Sequence, residues 1–167
     1  MSGAVDIVRP MLATVTAYSV GLFIHVLAVV LAFGPTFGYG VFIGFADTKA
    51  PTAVPAVHRA IRLSNLFLVT PAMIVVLAAG IYLMAKGDWG NQSWITVGFI
   101  AILILFGLVH AYFNPRTLKA IELAERDLAA GGELSDEYRR VSAQMARVGQ
   151  LAGLIVAVTI FFMVVKP

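Results

Sequence analysis

Residues 20–45, VGLFIHVLAVVLAFGPTFGYGVFIGF, contain no Asp, Glu, Lys or Arg. An uncharged apolar run beyond about 18 residues reads as a membrane-spanning helix. One histidine, His25, sits among Leu, Ile, Val and Phe, and a glycine series follows at Gly34, Gly38, Gly40 and Gly44. A ring nitrogen or a bare backbone gains nothing from lipid, so these residues are expected to face protein. Composition agrees: 60% of the 167 residues are hydrophobic and 13% charged, against roughly 45–50% and 25% in soluble globular chains. A soluble domain of this length has too little interior to hide that excess. With no cysteine, disulfides, thiolate metal sites and cysteine nucleophiles are excluded. The net charge of +3 does not indicate nucleic-acid binding, because the basic residues mostly flank the apolar runs.

Working outward, residues 1–9 (MSGAVDIVR) are expected to form an interfacial turn, with Pro10 suited to a helix start. The first apolar run is too long for the core of a signal peptide, so no cleavage is expected. It also exceeds one spanning length, so helix 1 must tilt, kink or protrude, with Pro35 as the kink. Gly34-x-x-x-Gly38 and Gly40-x-x-x-Gly44 are spacings that let another helix approach closely. DTKAPTAVPAV (47–57) reads as a loop broken by Pro51 and Pro55, and His58 beside Arg59 reads as an interfacial residue. Helix 2 covers Leu63 to Ala85 with Thr70-Pro71 inside it. Trp89, Trp94 and Tyr82 flank the next turn as an aromatic belt would. Helix 3 starts at Ser93 and breaks or kinks at Asn114-Pro115.

From Arg116 to Arg147 the chain is highly charged but keeps helical periodicity, with Gly131-Gly132 as its turn. Ser135 followed by Asp136 and Glu137 reads as an N-cap with acids favourable to the helix dipole. Helix 4 then enters the bilayer near Val148, carries Gly149-x-x-x-Gly153 and ends where Lys166 can snorkel. The expected fold is an all-α, integral membrane four-helix bundle forming one domain. Its spans fall at about 17–45, 63–85, 93–114 and 148–165, with helices 3 and 4 extended into a charged hairpin over 116–147. Nine of the twelve Lys and Arg residues fall on the side of the first and third loops, which places those loops in the cytoplasm and both termini outside.

No acid or base lies in the middle of a span, which argues against an ion pump, a carboxylate proton relay or a voltage sensor. The polar residues left fall into two layers. An outer one centres on His25, with Thr159 and Tyr82 nearby; an inner one combines Tyr39, Asn65, His110 and Gln150. His25 and His110 are the candidate cofactor ligands, since neutral imidazole suits a b-type haem iron. The competing role is an interhelical hydrogen bond. Their different depths argue against both binding one haem. His58 with His110 is a poor metal site without carboxylates. Walker, Rossmann and HExxH motifs are absent, and no acid stands beside a membrane histidine for nucleophilic catalysis.

Several stretches resemble a bacterial family of integral membrane proteins known as domain of unknown function twenty-two sixty-nine. They are FIHVLAVVLAFGP, SNLFLVTPAMIVVLAAGIYLM and YRRVSAQMARVGQLAGLIVAVTIFFMVVKP, and the resemblance covers nearly the whole chain. Its most specific pieces are Leu66–Ala72 with Thr70-Pro71, then Gly80, Tyr138-Arg139-Arg140 and the terminal Met163–Pro167. It implies a bacterial inner-membrane, multi-pass address without an activity. More distantly, the His25 helix is similar to the leading helix of CopD-type copper-resistance domains and HemJ-like protoporphyrinogen oxidases, which implies a helix-1 histidine serving metal or haem. The chain departs from the HemJ-like pattern in having no arginine or lysine after His25 within helix 1.

The expected function is therefore that of a non-enzymatic structural or accessory subunit. It would act through the small-residue faces Gly34, Gly38, Gly40, Gly44, Gly149 and Gly153 and through its cytoplasmic hairpin, on a homo-oligomeric or membrane-complex partner. The alternative is a haem-handling or redox protein using His25. A small-solute or metal transporter, with Pro35 and Thr70-Pro71 as gating breaks, comes third.

Overall fold

A computed structural model describes residues 15–87, 89 and 92–166. The expected turn at residues 1–9, the Pro10 helix start, Pro167 and part of the polar turn at 88–91 lie outside the described residues. Four long helices follow one another: α1 Ala17–Lys49, α2 Pro51–Gly87, α3 Ser93–Ala129 and α4 Asp136–Val165. Each is long and apolar enough to cross a membrane. Large apolar side chains point outward along them, Val41 at 70% and Phe67 at 73% exposure among them. In water such a surface would aggregate; against acyl chains it costs nothing. The fold is all-α, and its spans lie in contact with the bilayer.

Local chemistry sets the helix ends. Thr16 caps α1 by accepting the Ser19 N–H at 3.1 Å, and Ser19 Oγ accepts the Thr16 N–H at 2.9 Å, a reciprocal capping box. The α1–α2 loop expected over 47–57 is far shorter. α1 runs to Lys49, Ala50 alone breaks the helical conformation, and a 3₁₀ turn at Pro51–Ala53 leads into α-helix at Val54. Pro51 and Pro55 each stand in a first turn, where a missing N–H has no intrahelical partner to lose. They start helix here instead of breaking it.

The two later prolines act differently. Pro71 follows a π-helical turn at Asn65–Val69, and Pro115 follows another at Leu108–Phe113. A helix-interior proline clashes with the carbonyl four residues back. Widening the preceding turn by one residue moves that carbonyl away, and the N–H of Thr70 and of Asn114 then bond five residues back, to Asn65 and Val109. α3 therefore continues through Pro115 as helix.

The core falls in two parts. Within the spans, Ala28 and Ala32 of α1 meet Val69, Ala72, Met73 and Val76 of α2, and Ile102, Leu105 and Val156 close the far side. At the charged end, Ala46, Val54, Ala120, Leu123, Ala124, Leu134 and Tyr138 form a second core drawn from all four helices. The charged ends of α3 and α4 thus do not project alone. α2 packs against α3 there, tied by an Arg59–Glu125 ion pair and by Arg62 Nε donating to Asn114 at 3.3 Å. At the opposite end the Trp89 and Trp94 rings lie edge to face at 5.8 Å, and the Lys166 ammonium stands 4.8 and 5.4 Å from their centres. Tyr82 is drawn inward against Gly21.

The α3–α4 turn is built on Asp127. Its Oδ2 accepts the Ser135 N–H at 2.8 Å, its Oδ1 accepts Arg126 Nη2 at 3.0 Å, and Ser135 Oγ in turn caps the Tyr138 N–H. Hydrogen bonds from the Ser135 hydroxyl and backbone, with Arg126 adding to them, hold the Asp127 carboxyl below the usual carboxylate range. Its contribution is present above about pH 4, the ordinary aspartate value, and is lost as pH falls through the lower folded value. In detergent, the melting temperature of the wild type is expected to fall below about pH 4. Asp127→Asn should melt lower at pH 7, with the gap closing in acid; a gap that stays constant to pH 3 would show that Asp127 does not carry this dependence.

Candidate functional site

α1 leans on α2 and α4 leans on α3, while α1 and α4 meet only sparsely. The space between them is a groove of about 840 Å³, inside the range of roughly 300–1,000 Å³ typical of small-molecule sites. Along α1 the stretch of its lining from Phe33 to Asp47 covers about 21 Å at 1.5 Å per residue. Phe33, Leu105 and Val156 line its deep end, and Asp47, His58, Tyr138 and Ser142 line the end nearest the charged helices. Gly40 and Gly44 on one wall and Gly149 on the other leave it wide; a Cβ added at any of the three would meet nothing within 4 Å.

The polar end is a connected cluster. Tyr138, fully buried, donates its hydroxyl to Asp47 Oδ1 at 2.6 Å, and Ser142 donates to Asp47 Oδ2 at 3.2 Å. His58, 1% exposed, stands with Nε2 at 3.1 Å from the Tyr138 oxygen. Tyr138 has one proton and spends it on Asp47, so His58 Nε2–H must be the donor in the second bond. That fixes the tautomer of the neutral ring and leaves Nδ1 as a lone pair, enclosed and without a partner among the described residues. The cluster lies beyond the uncharged spans. There burial, then Asp47, pushes the Tyr138 hydroxyl up, so it stays a donor at all ordinary pH; burial pushes the His58 imidazole down, with Asp47 opposing. Among the described residues no Lys or Arg stands within ion-pair distance of Asp47.

Of the residues expected in the inner layer, no two bond each other among the described residues. Tyr39 donates to Ser64 at 2.7 Å and lines the groove. Asn65 and Gln150 also line it. His110 instead bonds Thr70 Oγ1 at 3.3 Å and stacks on Phe106 at 4.4 Å. Thr70 gives its own proton to the Asn65 carbonyl at 2.7 Å, so the two π turns are linked through Thr70 and His110. In the outer layer, His25 Nδ1 donates to the Val76 carbonyl at 3.1 Å, and its ring lies over Gly80. Thr159 bonds only within its own helix, to Ile155, so the outer layer is not a network.

His25 is wedged into the tightest helix pair, and His110 and His58 bond elsewhere. His25 and His110 touch α2 six residues apart, at Val76 and Thr70, about 9 Å along the axis. Among the described residues no three His, Cys, Asp or Glu side chains converge as metal ligands. Of the six glycines singled out for helix packing, Gly153 meets a neighbouring helix, the Phe37 ring lying at 3.5 Å. Gly34, Gly40, Gly44 and Gly149 face open space, and Gly38 meets only Phe42 of its own helix.

His58 is the clearest correction. The interfacial residue expected from Arg59 beside it is buried, because Val54, Pro55, His58 and Ile61 share one face of α2 and that face packs inward. Asp47, Tyr138 and Ser142 lie outside the site residues expected from the sequence. One signal was available: Asp47 stands in the last turn of α1, where the helix dipole disfavours an acid, and such a residue needs tertiary partners.

The chain matches the family described as "Predicted integral membrane protein (DUF2269)" across residues 20–167, and it belongs to that family. It is a multi-pass integral membrane protein. Neither a curated protein nor a solved structure matches it.

Proposed function

We propose that this chain is a non-enzymatic accessory protein of the bacterial inner membrane that holds a small amphiphile in the groove between α1 and α4. One observation carries the reading: the groove is apolar at its deep end and polar at its charged end. Its length of about 21 Å suits one leaflet, half of a hydrocarbon core roughly 30 Å thick plus the headgroup zone. The lateral gap between α1 and α4 gives such a guest a path from the lipid. Nine basic residues at the charged end support placing it in the cytoplasm, with both termini outside. On this reading His25 is an interhelical bond donor, and Gly40, Gly44 and Gly149 keep the groove open for its guest.

The test is native mass spectrometry of the full chain extracted in a mild detergent. Retention of about one amphiphile per chain is expected, displaced by an added detergent of lipid length. A bare chain, under conditions in which a reference lipid-binding membrane protein keeps its lipid, would overturn the reading.

A further inference from the structure

The polar end of the groove is specific about charge. Asp47 lines it as a half-buried carboxylate, oriented by two hydroxyls that use one lone pair on each oxygen. A carboxylate has about four acceptor positions, so lone pairs remain. Both hydroxyls are neutral, and neither cancels the charge. Even a half-buried charge carries part of the desolvation cost that a counter-ion offsets, so the groove favours a guest that brings a cation.

One cation lines the same groove, and it makes no ion pair with Asp47. Arg139 also lines the groove, on α4 next to Tyr138 and three residues before Ser142. Its Nε donates to the Leu134 carbonyl at 3.1 Å, and its Nη2 lies 4.0 Å from Glu133. Glu133 is 98% exposed, so that pair is worth little and leaves the outer guanidinium edge free. A fork of guanidinium N–H groups matches the oxygens of a phosphate.

We infer that the guest is an aminophospholipid of the surrounding leaflet, its primary ammonium on Asp47 and its phosphate on Arg139. The inference rests on the groove reading and deepens it. An anion and a cation among the lining of one groove with an apolar end complement a zwitterionic headgroup with an acyl tail. A primary ammonium offers three N–H donors to the free lone pairs of Asp47; a quaternary choline offers none. Selection should therefore fall between these two headgroups.

The experiment uses delipidated full chain in detergent and measures binding of phosphatidylethanolamine and phosphatidylcholine with identical acyl chains. The wild type is expected to prefer phosphatidylethanolamine about tenfold or more, the size of one charge-assisted hydrogen bond. In Asp47→Asn the preference should fall to within about twofold. Arg139→Gln should weaken both lipids about equally, since both carry the phosphate. Ser142→Ala, which frees a further acceptor position on Asp47 while Tyr138 still holds the other oxygen, should widen the preference and serves where Asp47→Asn does not fold. Equal binding of the two lipids by the wild type, or a preference untouched in the folded variants, would overturn the ammonium assignment and leave the groove reading standing. Binding of neither lipid would overturn the headgroup inference, while the groove reading stands or falls by the amphiphile retained in the native mass spectrum.

Discussion

Tyr138→Phe is expected to lower the stability of the chain by about 3 kcal/mol, far more than the loss of one hydroxyl usually costs. The hydroxyl has two partners, and the substitution strands both. Asp47 loses the shorter of its two oriented donors, a charge-assisted bond of 2.6 Å, and His58 Nε2–H is left enclosed at a position 1% exposed with nothing to donate to. The first loss is worth about 1.5–3 kcal/mol and the second about 1–3, with overlap because the three groups form one network. Tyr138→Ala adds a cavity in the second core and should leave little folded protein. The measurement is reversible unfolding in mixed micelles, read by circular dichroism. A double-mutant cycle separates the parts: in a His58→Phe background the stranded N–H is gone, so Tyr138→Phe should cost about half as much. A single Tyr138→Phe that unfolds within about 0.5 kcal/mol of wild type would mean that this cluster does not hold the charged end together.

That cluster also shows where reading the chain as a sequence runs out. The spans were legible because lipid imposes a one-dimensional rule: every uncharged run of about 20 residues crosses, and α1 to α4 each contain one. The Ser135 cap and the Gly131 turn were legible because both are local; Gly131 takes φ +71, a conformation that suits glycine. Asp47, His58 and Tyr138 lie 91 and 80 residues apart along the bonds that join them, and nothing local links them. The glycines misdirect in a more instructive way. Gly-x-x-x-Gly spacings drew attention to the second half of α1, yet α1 meets α2 through Gly21, His25, Ala28 and Ala32, a 4-3-4 spacing in its first half. Alanine permits nearly the same approach as glycine and carries a weaker mark. A glycine in a membrane helix records room for something, and the sequence does not say whether that is a helix or a guest.

The same ambiguity makes Gly44→Leu a sharp experiment. A leucine placed where glycine lets two helices touch should split them, and Gly21 provides that control: a Cβ there would fall 2.6 Å from the Tyr82 ring. Gly21→Leu should therefore cost about 1–3 kcal/mol or more as overpacking. At Gly44 and Gly149 an added Cβ meets nothing within 4 Å. Gly44→Leu and Gly149→Leu should leave stability unchanged or raise it by up to about 1 kcal/mol, because leucine is the better helix former. Their side chains would enter the groove from opposite walls. Amphiphile retained through purification should then drop by at least about tenfold in the double variant, as the leucines take the volume the guest needs. The measurements are lipid extracted per mole of protein and unfolding in the same micelles. Both can fail informatively. A large loss of stability at Gly44 or Gly149 would mean that α1 and α4 close on each other, or on another helix, in the bilayer. The glycines would then be packing residues, and the groove reading would be wrong. Unchanged stability with unchanged lipid would place the retained lipid on the outer surface of the bundle. Only the combination of intact folding and an emptied groove assigns these glycines to a guest.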